Sequence, residues 1–215
     1  MIALVAAYSK NRVIGFRGKL PWNLEYEKKR FADLTRHNIV VMGRKTFESI
    51  GEPLQHRLNI VISTTKQFTG QSLCTVSSFS AAVSLAEQLA YDFASSDFID
   101  DDEDVFYNFD DSIDSSTATT DSVAMGELGR AFSKTSMHSC QPHFPKRNIF
   151  FIGGERVYKD ALPLCEKLFI TEIHKDFLGD AFFPPFNEAD FTKVIENQIM
   201  YDTVPYSYIT YTRRK

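Results

Sequence analysis

Apolar runs alternate with amphipathic stretches along most of this chain, and the alternation predicts strands interleaved with helices. Residues 2–8 form a continuous apolar run, which is typical of a strand buried on both faces of a largely parallel sheet. Similar runs predict further strands at 38–43, 58–63, 73–76, 148–153 and 167–173. An alternating pattern at 191–200 and 206–212 predicts an antiparallel hairpin at a sheet edge. The order of elements predicts an α/β domain with a mixed sheet.

Amphipathic spacing places the helices between these strands. It predicts helices at 24–36, 44–50, 78–90 and 155–162. Ser80 is the predicted cap of the third helix, and Pro163 ends the fourth. Residues 9–23 show little periodicity and contain two glycines and a proline, so we predict a long loop there. Loops of that length in compact domains are often functional lids.

The helix predicted at 24–36, with Asn23 as its N-cap, carries a carboxylate within its apolar stripe. At helical spacing, one face of this helix holds Leu24, Glu27, Phe31 and Leu34. Burial of a carboxylate costs free energy unless the group finds a partner or takes up a proton. Spacing alone leaves two interpretations open. Glu27 is either a surface residue at the stripe's edge, paired locally if at all, or a carboxylate held in an apolar pocket to meet a polar ligand.

Length and composition narrow the class of protein. The 215 residues fit one domain with an elaboration or two small domains, and 43% hydrophobic residues are enough for a sizeable core. No apolar run approaches about 18 residues, so we predict no membrane span. The N-terminal apolar run lacks the basic segment of a signal peptide, so we predict a strand there. The three cysteines are widely spaced, which favours reduced thiols and a cytoplasmic location.

Residues 91–147 differ in character from the rest of the chain. They hold 12 of the 28 acidic residues but only 4 of the 24 basic ones, so the remainder has 20 basic against 16 acidic residues. With a Ser/Thr-rich run, this composition predicts a partly disordered insertion that interrupts a single domain spanning 1–215. The segment also contains His138, Cys140 and His143, whose spacing matches no standard metal site, so we predict no bound metal.

Three predicted strand ends are suited to binding phosphates. Residues 42–46 and 152–156 each place a glycine-bearing strand end against a helix N-terminus, together with basic side chains. Residues 63–66, Ser-Thr-Thr-Lys, add hydroxyls and a cation at a third strand end. None of them is a G-x-G-x-x-G or Walker A motif. Together they predict a dinucleotide site that accepts an extra ribose phosphate, because an NAD site would instead show an acidic residue.

Several motifs, in order and at consistent spacing, resemble bacterial dihydrofolate reductase. The matching residues are Val5–Ala7, Asn11–Gly15, Leu20–Asn23, Met42–Gly51, Leu54, Arg57, Ile152–Gly154 and Phe183–Pro184. The resemblance covers 1–90 and 148–215. It implies an eight-stranded, mostly parallel sheet flanked by four helices. It also implies NADPH-dependent reduction of dihydrofolate to tetrahydrofolate, which serves one-carbon metabolism.

The resemblance also assigns roles around the substrate. Glu27 matches the family's active-site acid, which bonds the pterin 2-amino group and ring nitrogen. Thr171 would support Glu27 by hydrogen bonding, and Trp22 would help to hold an ordered water. Arg57 matches the clamp on the substrate's glutamate α-carboxylate, for which a bidentate guanidinium is well suited. The remaining substrate-binding residues implied are Val5, Ala6, Phe31, Ile50, Leu54, Ile152 and Tyr158.

For NADPH, the resemblance implies a larger set of residues, and 15–20 resemble the mobile loop that closes over nicotinamide. The set comprises Ala7, Ile14, Gly15, Gly18, Lys19, Gly43, Arg44, Lys45, Thr46, Ser63, Thr64, Thr65, Ile152, Gly153, Gly154, Glu155, Arg156, Val157 and Tyr158. The expected partners are dihydrofolate and antifolate inhibitors, with no nucleic acid or membrane, and the expected state is a monomer.

Some positions depart from the family pattern. Lys28 replaces a residue that is usually apolar, Glu52 replaces one that is often basic, and Glu155 follows the glycine pair where a third glycine is common. Two other functions stay open at this point. One is a reductase of related fold that acts on another pteridine or pyrimidine ring. The other is an interaction module in which the acidic insertion binds a partner, with or without enzyme activity.

Overall fold

An eight-stranded sheet lies at the centre of this computed structural model, which describes residues 1–92, 146–200 and 204–215. The strands are β1 (Ile2–Ser9), β2 (Val13–Gly15), β3 (Ile39–Gly43), β4 (Leu58–Ile62), β5 (Leu73–Val76), β6 (Ile149–Phe151), β7 (Lys167–Ile173), β8 (Ala181–Phe182), β9 (Phe191–Ile199) and β10 (Tyr206–Arg213). The helices are α1 (Glu25–Thr35), α2 (Arg44–Ile50), α3 (Phe79–Asp92) and α4 (Glu155–Ala161), with a short 3-10 helix at Glu188–Asp190.

The order of strands across the sheet is β5-β4-β3-β6-β1-β7-β10-β9. Neighbouring strands from β5 to β7 run parallel, whereas β10 is antiparallel to both β7 and β9. The predicted fold class is therefore confirmed, including the C-terminal hairpin at one edge and the four helices. Strands β2 and β8 form a separate two-stranded ribbon.

The apolar runs form the central strands because helices cover both faces of the sheet. Alternate residues of β1 divide between two core clusters, with Leu4 and Ala6 in one and Ala3 and Val5 in the other. Helix α3 packs three small residues, four apart, against the first cluster: Ala82, Ala86 and Ala90. Helix α1 supplies Phe31 and Leu34 to the second. The candidate site described below lies on the α1 face.

Local details of the predictions need correction. Asn23 does not cap α1, because the helix begins at Glu25 with Leu24 at the N-cap, and Asn23 Oδ1 instead accepts a hydrogen bond from Lys28 Nζ at 2.6 Å. Ser78 replaces Ser80 as the capping side chain of α3, since Ser78 Oγ accepts from the Ala81 N–H at 3.1 Å.

The stretch 9–23 is not simply a loop. It contains strand β2 and a bridge between Phe16 and Lys19. Its partner β8 was missed by the sequence reading because two residues are too short to show a period.

The predicted insertion at 91–147, together with His138, Cys140 and His143, lies almost wholly outside the described residues. Helix α3 ends at Asp92, and β6 begins at Ile149. In the part that the structure does describe, no helix is both long and apolar enough to traverse a bilayer. That part also holds no cluster of three or more acidic, histidine or cysteine side chains arranged for a metal.

The stretch 9–23 is attached to the segment that follows β7. Arg12 donates hydrogen bonds to the carbonyls of Phe183 and Pro184, at 3.1 and 2.5 Å. The Arg17 N–H donates to Asp180 Oδ2 at 3.0 Å, and the Asp180 N–H donates to the Gly15 carbonyl at 3.1 Å. These bonds hold the stretch against the body of the fold.

Gly179 is the tightest point of this attachment, and we expect Gly179→Ala to destabilise the fold. A Cβ at Gly179 would overlap the Val13 side chain and lie 2.8 Å from the Gly15 carbonyl oxygen. Forced repacking of that kind costs about 1–3 kcal/mol of unfolding free energy. Urea unfolding measures the loss.

Gly70→Ala is the matched control, because its Cβ would meet Leu73 at ordinary contact distances of 3.6 and 3.8 Å. We expect that change to stay within about 1 kcal/mol. Equal stability of the two variants would contradict the close approach at Gly179.

Candidate active site

The Glu27 carboxylate lies on the inward face of α1. Its side chain is half-buried, whereas the neighbouring Tyr26 and Lys28 are exposed. Burial raises the pKa of the Glu27 carboxyl above its ordinary value, and the positive charges of Arg30 and Lys28 only partly offset that rise. Within the described residues, no hydrogen bond or ion pair satisfies this carboxylate. The structure therefore favours the interpretation of Glu27 as a carboxylate held in a pocket.

The register of the sheet shows what Glu27 faces. Arg30, one helical turn further along α1, lies with its guanidinium 4.4 Å from the centre of the Tyr208 ring. Tyr208 pairs directly with Thr171 in the β10–β7 ladder, and Thr171 pairs with Ala7 in the β7–β1 ladder. Glu27 therefore belongs to the helix turns that cover β1, β7 and β10. The predicted acid and its predicted supporting threonine lie on the same side of the sheet.

Trp22 and Thr171 each bury a polar group that has no hydrogen-bond partner among the described residues. Trp22 is 8% exposed and packs edge-on against Phe177, with the ring centres 5.3 Å apart. Its Nε1–H and the hydroxyl of Thr171 make no hydrogen bond to any described residue, and no bond joins Thr171 to Glu27. Such a group costs about 1–3 kcal/mol if it is left unsatisfied. Both positions are therefore suited to hydrogen bonding with a water or a polar ligand.

Arg57 lies at the other end of α1, and its orientation is defined by hydrogen bonds. Its guanidinium donates to Thr35 Oγ1 from Nε at 2.9 Å, to the Gln55 carbonyl from Nη1 at 2.9 Å and to the Ala32 carbonyl from Nη2 at 3.2 Å. One N–H on each Nη atom has no partner among the described residues, and such a pair can bind a carboxylate in a bidentate fork. Burial, and after it the charge of Arg36, lowers the pKa of Arg57.

Apolar side chains line the space between these polar groups. Phe31 and Leu54 are half-buried and belong to the same cluster as Val5 and Ile152. Ile50, at the end of α2, is 37% exposed. These five residues are where the sequence predicted the substrate walls.

Two predicted substrate residues differ from the rest. The side chain of Ala6 lies in the core cluster on the opposite face of the sheet, because alternate residues of a strand face opposite sides. Only its main chain is available to the cleft. The buried Tyr158 hydroxyl lies 3.0 Å from the Val5 carbonyl and 2.9 Å from the Ile152 carbonyl. Tyr158 therefore positions the two strands that carry the walls.

Two glycine-bearing turns meet at the carboxyl ends of β3 and β6. The Gly43 N–H donates to the Gly153 carbonyl at 2.7 Å. Gly153 has φ +115°, and a Cβ there would lie 3.0 Å from the Tyr158 hydroxyl, so only glycine fits without displacement. A Cβ on Gly154 would approach Thr46 Oγ1 to 3.4 Å. The structure thus brings together the two predicted phosphate-binding turns.

The third predicted phosphate element, 63–66, lies beside α2. Lys66 Nζ is 2.6 Å from Glu48 Oε1, and Arg44 Nη1 is 3.1 Å from both Glu48 oxygens. The buried Ser63 hydroxyl accepts the Lys66 N–H at 3.0 Å, while Thr64 and Thr65 are exposed. The predicted cofactor residue Arg44 therefore belongs to an ion-pair cluster centred on the Glu48 carboxylate, and the predicted cofactor residue Ser63 lies beside that cluster.

The remaining predicted cofactor residues surround this edge of the sheet. Glu155 Oε2 accepts a hydrogen bond from the Phe182 N–H at 3.2 Å, which ties α4 to β8. Buried or half-buried positions are Ala7, Ile14 and Val157, and exposed ones are Gly18, Lys19, Lys45 and Arg156. The loop 15–20 is connected to α2 because Ser49 Oγ donates to the Gly18 carbonyl at 2.5 Å.

Sequence reasoning missed Glu48, Arg30 and Ser49. Arg44 and Glu48 are four residues apart on one helix, so this ion pair could have been predicted from the sequence spacing. The contacts of Arg30 with Tyr208, of Glu48 with Lys66 and of Ser49 with Gly18 join distant segments, and no local pattern signals them.

Comparison with known proteins points to one family. The family model described as "Dihydrofolate reductase" matches residues 1–106 and 115–213. The chain is 32% identical to dihydrofolate reductase type A13 of Escherichia coli, an alignment that spans 99% of this chain and 94% of that protein. It is 28% identical to dihydrofolate reductase of Bacillus subtilis, over 97% of this chain and 90% of that one.

A solved structure is similar over the whole chain as well. It is dihydrofolate reductase from Enterococcus faecalis complexed with NADP(H) and RAB-propyl, with a TM-score of 0.68 and 25% sequence identity. The alignment covers 100% of this chain and 97% of that one.

The burial of Glu27 predicts a pH-dependent gain in stability for Glu27→Gln. Since the folded pKa lies above the ordinary value of 4.5, the folded protein binds this proton more tightly than the unfolded chain. The wild type therefore loses stability as the pH rises from 4.5 through the raised folded pKa, and glutamine, which does not titrate, avoids that loss. Urea unfolding at about pH 4 and about pH 7 should show that the free energy of unfolding of the variant increases relative to that of the wild type as the pH rises.

Glu25→Gln is the control, because Glu25 is exposed on the same helix. The free energy of unfolding of Glu25→Gln should change with pH as that of the wild type does. If Glu27→Gln shows the same pH dependence, the carboxylate is not perturbed by burial.

Proposed function

The chain belongs to the dihydrofolate reductase family, and we propose how its own residues perform the family's reaction. The enzyme is an oxidoreductase that reduces 7,8-dihydrofolate to 5,6,7,8-tetrahydrofolate with NADPH as the cofactor. The observation that carries the residue assignment is Glu27, a half-buried carboxylate that no described residue neutralises, on the same side of the sheet as two unsatisfied hydrogen-bonding groups.

Glu27 binds the pterin ring in this proposal. Its two carboxylate oxygens accept hydrogen bonds from the 2-amino group and the adjacent ring N–H, which form a flat pair of donors. The apolar walls Phe31, Leu54 and Ile152 pack against the ring faces and exclude water. A low local dielectric strengthens the charged hydrogen bonds, and the bound pterin in turn supplies the partner that the carboxylate otherwise lacks.

Glu27 also promotes protonation of the pterin. The ionised carboxylate that accepts the ring N–H groups stabilises positive charge on the ring, and its raised pKa lets it exchange a proton through water closer to neutral pH than an ordinary glutamic acid would. Trp22 Nε1–H and the Thr171 hydroxyl are placed to hold a water beside the ring, and that water passes the proton to the pterin nitrogen. Thr171 acts as a positioning residue for this water.

The cleft also fits the cofactor. NADPH supplies the hydride when it is bound. The glycine turns at Gly43 and Gly153–Gly154 leave the main chain accessible at two strand ends, as a pyrophosphate requires. Arg44 and Lys66 offer two cations beside the hydroxyls of 63–65, which suits the ribose 2′-phosphate. Ser49 holds the loop 15–20 over the cleft, where closure keeps water from the reacting atoms.

Arg57 binds the glutamate tail of the substrate. Hydrogen bonds to α1 and to Gln55 fix the guanidinium plane, and the two free Nη N–H groups face a carboxylate as a fork. Arg57 distinguishes folate from the alternative substrates, because a pteridine or pyrimidine without a carboxylate tail cannot form this contact. We therefore favour dihydrofolate over the alternative ring substrates.

We further propose that the enzyme works as a monomer in the cytoplasm and that antifolate inhibitors compete for the Glu27 pocket. Cys74 and Cys165 are free thiols, which agrees with a reducing compartment.

Glu27→Gln tests the acid. We expect kcat at neutral pH to fall by about 10²–10⁴-fold, with the loss shrinking as the pH is lowered, because dihydrofolate then arrives already protonated. Loss of reduced-nicotinamide absorbance measures turnover with NADPH and dihydrofolate. The exposed neighbour variant Glu25→Gln should keep wild-type kcat. A loss that stays constant with pH would assign Glu27 to binding alone, and full activity would remove it from the mechanism.

Arg57→Lys tests the tail clamp. Lysine keeps the charge but cannot form the fork, so we expect KM for dihydrofolate to rise about 10–100-fold with little change in kcat. Dihydropteroate, which lacks the glutamate, should give the same KM with both enzymes. If KM for the two substrates rises together, Arg57 supports the pocket as a whole and does not read the tail.

A further inference from the structure

Glu48 lies at the centre of the two cations assigned to the cofactor's ribose phosphate. Its Oε1 is shared by Lys66 Nζ at 2.6 Å and Arg44 Nη1 at 3.1 Å, and its Oε2 is also 3.1 Å from Arg44 Nη1. Arg44 and Glu48 are each about one-third exposed, with side-chain fractions of 31% and 32%. The carboxylate thus already occupies N–H groups that a phosphate would need.

We propose that Glu48 is a specificity-determining residue that competes with the 2′-phosphate of NADPH for Arg44 and Lys66, and so limits how tightly the enzyme holds the phosphorylated cofactor. The inference rests on the proposed function, since it takes these two cations as the phosphate site.

The balance of charge gives the direction of the effect. Two cations and one carboxylate leave the cluster with a net charge of +1, and a phosphate dianion would bring it to −1. With a neutral residue at 48 the same occupied site would be neutral. The hydrogen bond from Lys66 is the main cause that lowers the pKa of Glu48, so the carboxylate is charged at neutral pH.

Glu48 also orients the two cations, and this second effect has the opposite sign. A glutamine retains an acceptor oxygen on the same side chain, so it can still bond Lys66 or Arg44 while losing the charge. Positioning needs only that acceptor, whereas repulsion acts on both charges of the phosphate. We therefore expect repulsion to dominate, and Glu48→Gln to bind NADPH more tightly than the wild type does.

The carboxylate has a second consequence for turnover. In the free enzyme it keeps Arg44 and Lys66 paired, so the site stays preorganised between cofactors. Against the oxidised cofactor, which carries the same 2′-phosphate, it weakens binding and favours release. Release of product is often the slow step in enzymes that close a loop over their ligands.

The test measures binding of NADPH, NADH and adenosine 2′-monophosphate to the wild type, Glu48→Gln and Glu87→Gln by calorimetry. Glu87 is exposed on α3, and its replacement changes the net charge equally without touching either cation. For Glu48→Gln we expect Kd for NADPH and for adenosine 2′-monophosphate to fall about three- to tenfold, with Kd for NADH unchanged. The gain should shrink in about 1 M salt, where the screening length is about 3 Å.

Each other outcome overturns the proposal in a distinct way. Weaker binding of both 2′-phosphate ligands would make Glu48 a positioning residue for the cations. An equal change with NADH would place its effect on the cofactor pocket in general, and no change would remove Glu48 from the phosphate site. Wild-type enzyme that binds NADPH and NADH equally would instead contradict the assignment of Arg44 and Lys66 to the phosphate, and with it the proposed function of this edge.

Discussion

Burial of one carboxylate is the constraint on which the rest of this structure depends. Glu27 lies in the apolar stripe of α1, and no described residue neutralises it. An arrangement of that kind lowers the stability of the free protein, because desolvation of a charge is only partly offset by the charges of Arg30 and Lys28. In the proposed function, the pterin supplies the missing hydrogen bonds. The unsatisfied carboxylate at Glu27 would then favour a ring with adjacent N–H donors.

The same logic extends along the cleft. Trp22 and Thr171 bury polar atoms that the described protein leaves unsatisfied, and Arg57 keeps two N–H groups free while three others fix its plane. In the proposed function, Trp22 and Thr171 bind a water beside the ring, and Arg57 binds the carboxylate of the tail. The cofactor end differs, because Glu48 satisfies its cations internally. Under the proposed function, cofactor binding at that end replaces one anion by another, whereas pterin binding satisfies hydrogen-bonding groups that otherwise have no partner.

The scaffold accounts for the precision of these positions. Parallel strands place their carboxyl ends at one edge, where β3, β4 and β6 deliver the phosphate-binding turns. The Tyr158 hydroxyl reaches the carbonyls of β1 and the turn after β6, and so couples the walls of the pterin pocket to the cofactor edge. The stretch 9–23 is held by contacts with the 177–184 segment, and Val13 leaves no room for a Cβ at Gly179.

The sequence by itself determined the eight strands of the main sheet, the four helices and the family, because hydrophobic periodicity and short motifs are local features that can be recognised without the fold. It also singled out Glu27, since a carboxylate in an apolar stripe is visible at helical spacing. Only the tertiary structure decided which groups stay unsatisfied, that Ala6 faces the opposite core, and that Lys66 completes the Glu48 cluster. Those facts depend on register and on contacts between residues far apart in the chain, which no local pattern encodes.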